Sequence, residues 1–259
     1  MAVWVTIVVA VIAVLLISQV FSMVGVGGAV LYTPLLFLLG YSALASISNS
    51  LVINLIAVLS ASIIFYLKGL VDLRLAAWFI PGVCVGALLG GDATGWVRPD
   101  ILMWLFSAFL VVMGLRVMLS RKEPGTSGDA CHLVVTPRLA VTIIAFSLGV
   151  GFLSGLIGLG GSILIIPFLV YLCDQPVKGT AGTTAFIAIF VSLFGFIGVS
   201  AMDALDAWLI LPTAVAAVIG SQLGARRMVR TGEGRALLVL GAVMWIFAAT
   251  LVLRLLGLV

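Results

Sequence analysis

Gly25-Val26-Gly27-Gly28-Ala29-Val30-Leu31-Tyr32-Thr33-Pro34 decides the fold, because it returns in the second half as Gly158-Leu159-Gly160-Gly161-Ser162-Ile163-Leu164-Ile165-Ile166-Pro167. The glycines and the proline recur at identical spacing. Working outward, Ser48-Asn49-Ser50 lines up with Gly182-Thr183-Thr184, and Gly86-Ala87-Leu88-Leu89-Gly90 lines up with Gly220-Ser221-Gln222-Leu223-Gly224. Matches in one order at a nearly constant offset mark a duplicated unit.

The surroundings of the first motif set the solvent. From Met1 to Leu67 there is no Asp, Glu, Lys, Arg or His. The 259 residues are 64% hydrophobic and 8% charged, whereas a soluble domain carries about 25% charged residues. A bilayer span takes about 20 apolar residues, so the uncharged opening is long enough to cross more than once. A soluble protein is excluded. Met1 to Trp4 carries no cation ahead of the apolar run, so the first segment is expected as a mature span and not a cleaved export signal.

Charges and turn residues divide the chain into ten apolar segments, at roughly 3–22, 25–40, 47–67, 75–91, 101–119, 139–157, 159–173, 180–200, 207–225 and 236–256. The domain expectation is a first transmembrane repeat at 1–119, a polar cytoplasmic linker at 120–138 and a second repeat at 139–259. If every segment crosses and the N-terminus lies outside, the inner side collects Lys68, Arg74, Arg116, Arg121, Lys122, Arg138, Lys178, Arg226, Arg227, Arg230 and Arg235. The outer side keeps only Arg98 and Arg254. That is the positive-inside distribution. Dropping the second and seventh segments as re-entrant hairpins gives a mixed distribution in either orientation. Five segments per half is an odd number, so the two halves are expected to be inverted relative to one another, as in many secondary transporters. Leu139 to Cys173 is too short for two comfortable spans, so the segments after each glycine motif are expected to be short helices broken inside the membrane.

The net charge of +4 arises at the ends of apolar runs, with no basic face interleaved with aromatics, and nucleic acid is discarded as a partner. Cys84, Cys131 and Cys173 fall at no metal-ligand spacing and read as small apolar fillers. Neither a nucleotide-binding Gly-x-x-x-x-Gly-Lys-Ser/Thr motif nor a metalloprotease or serine-hydrolase pattern is present. No enzyme activity, metal or cofactor is therefore expected. Asp72, Asp92, Asp174, Asp203 and Asp206 all fall near segment ends, which leaves no buried carboxylate as a proton relay.

Two constellations remain as candidates for ligand chemistry. Gly25, Gly27 and Gly28, with Gly158, Gly160 and Gly161, let the backbone turn sharply and let a ligand approach the main chain. Helices starting just beyond them would turn amides and the positive ends of their dipoles toward a small anion. Close helix packing is the competing reading of the same glycines. The second constellation is Ser48, Asn49, Ser50 and Asn54, opposite Thr180, Thr183 and Thr184. Their hydroxyls and amides can replace water around an oxyanion, or simply bond neighbouring helices and local carbonyls. Gln19 and Gln222 read as helix glue, Tyr32 and Tyr66 as belt or pore residues, and His132 as a linker residue. Arg226, Arg227 and Arg230 read as topology signals.

With these motifs the chain resembles the TauE/SafE family of sulfite exporters and sulfonate-uptake permeases, over essentially its whole length. The resemblance implies a bacterial inner-membrane permease for sulfite or a related sulfur oxyanion or organosulfonate. The first repeat has Ser48-Asn49-Ser50 where the family shows a Gly-Thr-Ser pattern, a departure that alters the substrate or preserves a polar lining.

The expectation is an all-α polytopic membrane protein of two inverted repeats, working by alternating access. Its site lies between the glycine breaks and is lined by Ser48, Asn49, Ser50, Thr183 and Thr184. Its partners are a small anionic substrate and the lipid bilayer, with a homo-oligomer left open. A passive anion channel, a carrier of a small carboxylate and a non-transporting membrane scaffold are the alternatives.

Overall fold

The described residues of the computed structural model, 2–119, 137–172, 177–199 and 205–230, form an all-helical bundle. The helices are α1 (Ala2–Met23), α2 (Ala29–Leu38), α3 (Ala43–Leu67), α4 (Leu73–Thr94), α5 (Pro99–Leu119), α6 (Pro137–Ile157), α7 (Ser162–Leu172), α8 (Val177–Val199) and α9 (Ala207–Arg230). No strand occurs among these residues. The linker expected at 120–138 falls almost wholly outside the described residues, and the tenth segment entirely so.

Six of these helices are long and apolar enough to cross a membrane. The two helices that follow the glycine motifs are not. α2 has 10 residues and α7 has 11. At about 1.5 Å per residue, each reaches roughly halfway through a hydrocarbon layer of about 30 Å. The breaks expected at the glycines are there. Gly27 and Gly160 both have left-handed backbone, at φ 75° and 72°, so each motif reverses the chain where a continuous helix would have kept its direction.

Capping residues locate the other ends. The Ser42 hydroxyl accepts from the Ala45 amide at 3.2 Å and starts α3. The Asp72 carboxylate accepts from Arg74 and Leu75, both at 3.0 Å, and starts α4. The Asp206 carboxylate does the same for α9 through Trp208 and Leu209. Each supplies the acceptor that a first turn lacks.

Contacts fix how the helices run. Gly220 and Gly224 of α9 lie against the carbonyls of Leu15 and Gln19 on α1, so these two helices run parallel. Gly82, Gly86 and Gly90 of α4 lie against Ser147, Leu148 and Phe152 of α6, so that pair runs parallel as well. Tyr41 and Asn49 hydrogen-bond Asp206 at one end of the bundle, and Thr183 bonds Asp72 at the other.

α1 enters at the Asp206 end, and α2 returns toward it ahead of α3. α6 enters at the Asp72 end, and α7 returns toward that end ahead of α8. The hairpin is thus a pair of helices, not the second or seventh segment alone. A pair that leaves and returns on one side preserves the charge distribution of ten crossings, and Lys68, Arg74, Arg226 and Arg227 stay on one side of the bundle with Arg98 on the other.

The bundle buries small polar side chains among its apolar core and turns large apolar ones outward. Ser50, Asn54, Thr33, Thr184 and Ser192 are fully buried, while Leu211, Val215 and Ile219 on α9 are exposed. α3 and α8 pack on each other in the interior and the remaining helices surround them.

Candidate functional site

Asn54, halfway along α3, stands between the two glycine breaks. Its Oδ1 accepts from the amides of Gly28 and Ala29 at 2.8 and 3.0 Å, which caps the start of α2. Its Nδ2 donates to Ser192 Oγ of α8 at 2.8 Å. A Cβ on Gly27 would strike Asn54 Oδ1, and one on Gly160 would stand 2.6 Å from Nδ2. Both motifs need glycine here for the left-handed turn and because the carboxamide fills the space a side chain would take.

A second polar bridge lies beside it. Thr33 Oγ1 and Ser50 Oγ share a hydrogen bond of 2.6 Å, and the Thr33 hydroxyl also reaches the Gly158 carbonyl at 3.2 Å. Ser50 is one turn before Asn54 on α3, and residues four apart share a helix face. The first half thus sends Thr33, Ser50 and Asn54 toward the second half's glycine break.

Of the residues expected at the site, Gly27, Gly28, Ser50, Gly158 and Gly160 come together at Asn54. Gly161 adjoins them at the start of α7, where a Cβ would stand 3.3 Å from Ser154 Oγ. Gly25 faces the backbone of Ala181 on α8. Ser48 bonds its own helix, donating to the Leu44 carbonyl at 3.0 Å, and Thr184 donates to the Thr180 carbonyl at 2.8 Å.

Asn49 and Thr183 stand at opposite ends of the bundle. Asn49 Oδ1 accepts from the Asp206 amide at 3.3 Å, and Thr183 Oγ1 accepts from the Asp72 amide at 3.0 Å. Sequence reasoning did not single out Thr33, Ser154, Ser162 or Ser192. The usable signals were the place of Thr33 before the repeated proline and of Ser162 directly after the repeated glycines.

The described residues gathered at Asn54 carry no fixed charge. Lys68, Arg74, Arg98, Arg226 and Arg227 are all exposed, and no group of metal-ligating side chains occurs among the described residues. The site's polar inventory is amides and hydroxyls. Their N–H and O–H groups can solvate an anion by donation.

The sulfite exporter TauE/SafE family model matches residues 10–251. The chain belongs to the TauE/SafE family. A TauE/SafE relative, the probable membrane transporter protein YunE of Bacillus subtilis, is 26% identical over 200 residues, covering 70% of this chain and 73% of its own. A probable membrane transporter protein of Xylella fastidiosa strain 9a5c is 26% identical over 233 residues, covering 86% and 85%. The probable membrane transporter protein YdhB of Bacillus subtilis is 23% identical over 215 residues, covering 82% and 86%. No solved structure matches the chain. Family, relatives and apolar helices together place this TauE/SafE chain among membrane transporters.

Proposed function

We propose that the chain is a secondary transporter of the bacterial inner membrane. It carries a small anion, sulfite or a related sulfur oxyanion or organosulfonate, by alternating access between two inverted repeats. The observation that carries the reading is Asn54, which faces both glycine breaks at once. Helix ends from the two halves thereby converge on one buried, uncharged, donor-rich point, halfway along α3. The parallel pairing of α1 with α9 and of α4 with α6 supports the inverted arrangement, since each pair joins a helix of one half to one of the other. Helix N-termini favour negative charge, and the described interior holds no carboxylate to repel it.

The test is counterflow of labelled sulfite in proteoliposomes holding the purified protein. A carrier exchanges internal for external anion with saturation and is competed by related sulfonates. Conductance without saturation or counterflow would replace the carrier with a channel. Exchange of acetate in preference to every sulfur anion would move the substrate to carboxylates, and no flux of any anion would leave a scaffold.

A further inference from the structure

The two short helices begin alike in sequence but differ in what meets them. The Asn54 carboxamide caps α2. In the register that pairs Asn49 with Thr183, the residue matching Asn54 is Ala188, which has nothing to offer α7. Two hydroxyls stand at the start of α7 instead. Ser162 is its first residue, and Ser154 Oγ lies 3.3 Å from the Cβ position of Gly161. Both side chains are fully buried, and neither hydroxyl has a hydrogen-bond partner. A buried hydroxyl without a partner is a standing cost that a folded protein rarely leaves in place. Here two of them share one helix N-terminus, where the dipole and the first-turn amides favour an anion.

We propose that the Ser154 and Ser162 hydroxyls, with the amide end of α7, hold two oxygens of a singly charged oxyanion. The proposal rests on the transport reading above and narrows it. All of these donors are neutral, and the lysines and arginines of known exposure lie outside. Desolvation cost grows with the square of the charge, so a dianion costs about four times as much to bury as a monoanion. Among the residues of known exposure, no buried cation offsets the difference. For sulfite the bound species is hydrogen sulfite, and for an organosulfonate it is one bearing a single sulfonate and no second negative charge.

The experiment is thermal stabilisation of the purified full-length protein titrated with methanesulfonate, sulfate, and sulfite in mildly acidic and mildly alkaline buffer. Methanesulfonate is expected to bind at least about tenfold more tightly than sulfate, and sulfite to weaken as its remaining proton leaves. Ser154→Ala and Ser162→Ala are each expected to weaken methanesulfonate binding about tenfold or more, the worth of a hydrogen bond to a charged group. Without ligand, both variants hold or raise the melting temperature, because each removes an orphaned hydroxyl. A structural serine would lower it. Ser60, also buried without a partner but on α3 beyond Asn54, is the control, and Ser60→Ala leaves affinity unchanged. Sulfate binding as tightly as methanesulfonate, or unchanged affinity in both serine variants, overturns the proposal while leaving anion transport standing. No binding of any anion by the folded protein overturns the transport reading with it.

Discussion

The backbone amide of Asp206 donates to Oδ1 of Asn49 at 3.3 Å, and this clasp joins the second half of the chain to the first. Its counterpart at the far end joins the Asp72 amide to Thr183 Oγ1 at 3.0 Å. The register that aligns Asn49 with Thr183 also aligns Asp72 with Asp206, so one clasp repeats with donor and acceptor halves exchanged. Each holds the start of a peripheral helix, α9 or α4, against the start of a central one, α3 or α8. A carrier that opens alternately at its two ends has to loosen one clasp at a time.

Asn49→Ala is therefore expected to favour opening at the Asp206 end, and Thr183→Ala at the Asp72 end. Each lost bond is worth about 1 kcal/mol, enough to shift a closed-to-open ratio severalfold. In a cysteine-free background, Ala43→Cys and Ala181→Cys report the two ends, since both residues are buried. A membrane-impermeant thiol reagent should label position 43 faster in Asn49→Ala and position 181 faster in Thr183→Ala. Equal acceleration at both positions would mean general loosening and no end-specific clasp.

Tyr41 gives the Asp206 end a pH dependence. Its hydroxyl donates to Asp206 Oδ2 at 3.1 Å. Partial burial, then the hydrogen bond to Asp206 and its negative charge, raise the Tyr41 pKa above its ordinary value. A folded-state pKa above the unfolded one means that the fold favours the neutral phenol. That contribution is whole below about pH 10, the unfolded value, and fades as pH rises through the higher folded value. Melting temperatures of wild type and Tyr41→Phe should differ at neutral pH, with wild type higher, and converge in strongly alkaline buffer. A difference that stays constant across that range would remove the phenol from the stability of this end.

The paired glycine runs Gly86 to Gly90 and Gly220 to Gly224 make a packing prediction. A Cβ at Gly86 would collide with the Leu148 carbonyl, and one at Gly220 with the Leu15 carbonyl. The obstacle is backbone in both cases and cannot rotate away. Gly86→Leu and Gly220→Leu should each destabilise by about 3 kcal/mol or more, the upper range of overpacking. Gly149 on α6 has nothing within 4 Å, so Gly149→Ala should be neutral or raise stability by up to about 1 kcal/mol. Thermal unfolding in detergent separates the three. Equal losses would show that helix propensity, and not the crossings, governs these sites.

The duplicated glycine runs made the chain reversals legible from sequence, because left-handed turns leave a glycine signature. The starts of α3 and α8 were legible only to within about a turn, since the repeated polar residues put them near 47 and 180 and the helices begin at Ala43 and Val177. Which way those residues face was not. Asn49 and Asn54 lie five positions apart and so point to different sides of α3, whereas Ser50 and Asn54 share a face. Serines in apolar helices commonly bond their own carbonyls, as Ser18 does to Val14 at 2.5 Å. Ser154 and Ser162 lack such a partner, and only the structure shows that both stand at the start of α7.

Asn54 carries the sharpest prediction, because its two ends do different work. Asn54→Ala removes the cap from Gly28 and Ala29 and the donor to Ser192, leaving buried polar groups unpaired at a cost of about 1–3 kcal/mol. Stability and transport should fall together. Asn54→Asp keeps an oxygen for the two amides, and a carboxylate at a helix N-terminus is favourable. It loses the donor to Ser192 and places a negative charge between the two glycine breaks. That variant should stay folded, with a melting temperature above that of Asn54→Ala, while anion counterflow falls at least about tenfold, a difference of about 1.4 kcal/mol. Melting temperature and counterflow measured on the same preparations decide it. Asn54→Asp transporting anions at the wild-type rate would put the pathway away from Asn54 and leave that residue as the cap of α2 alone.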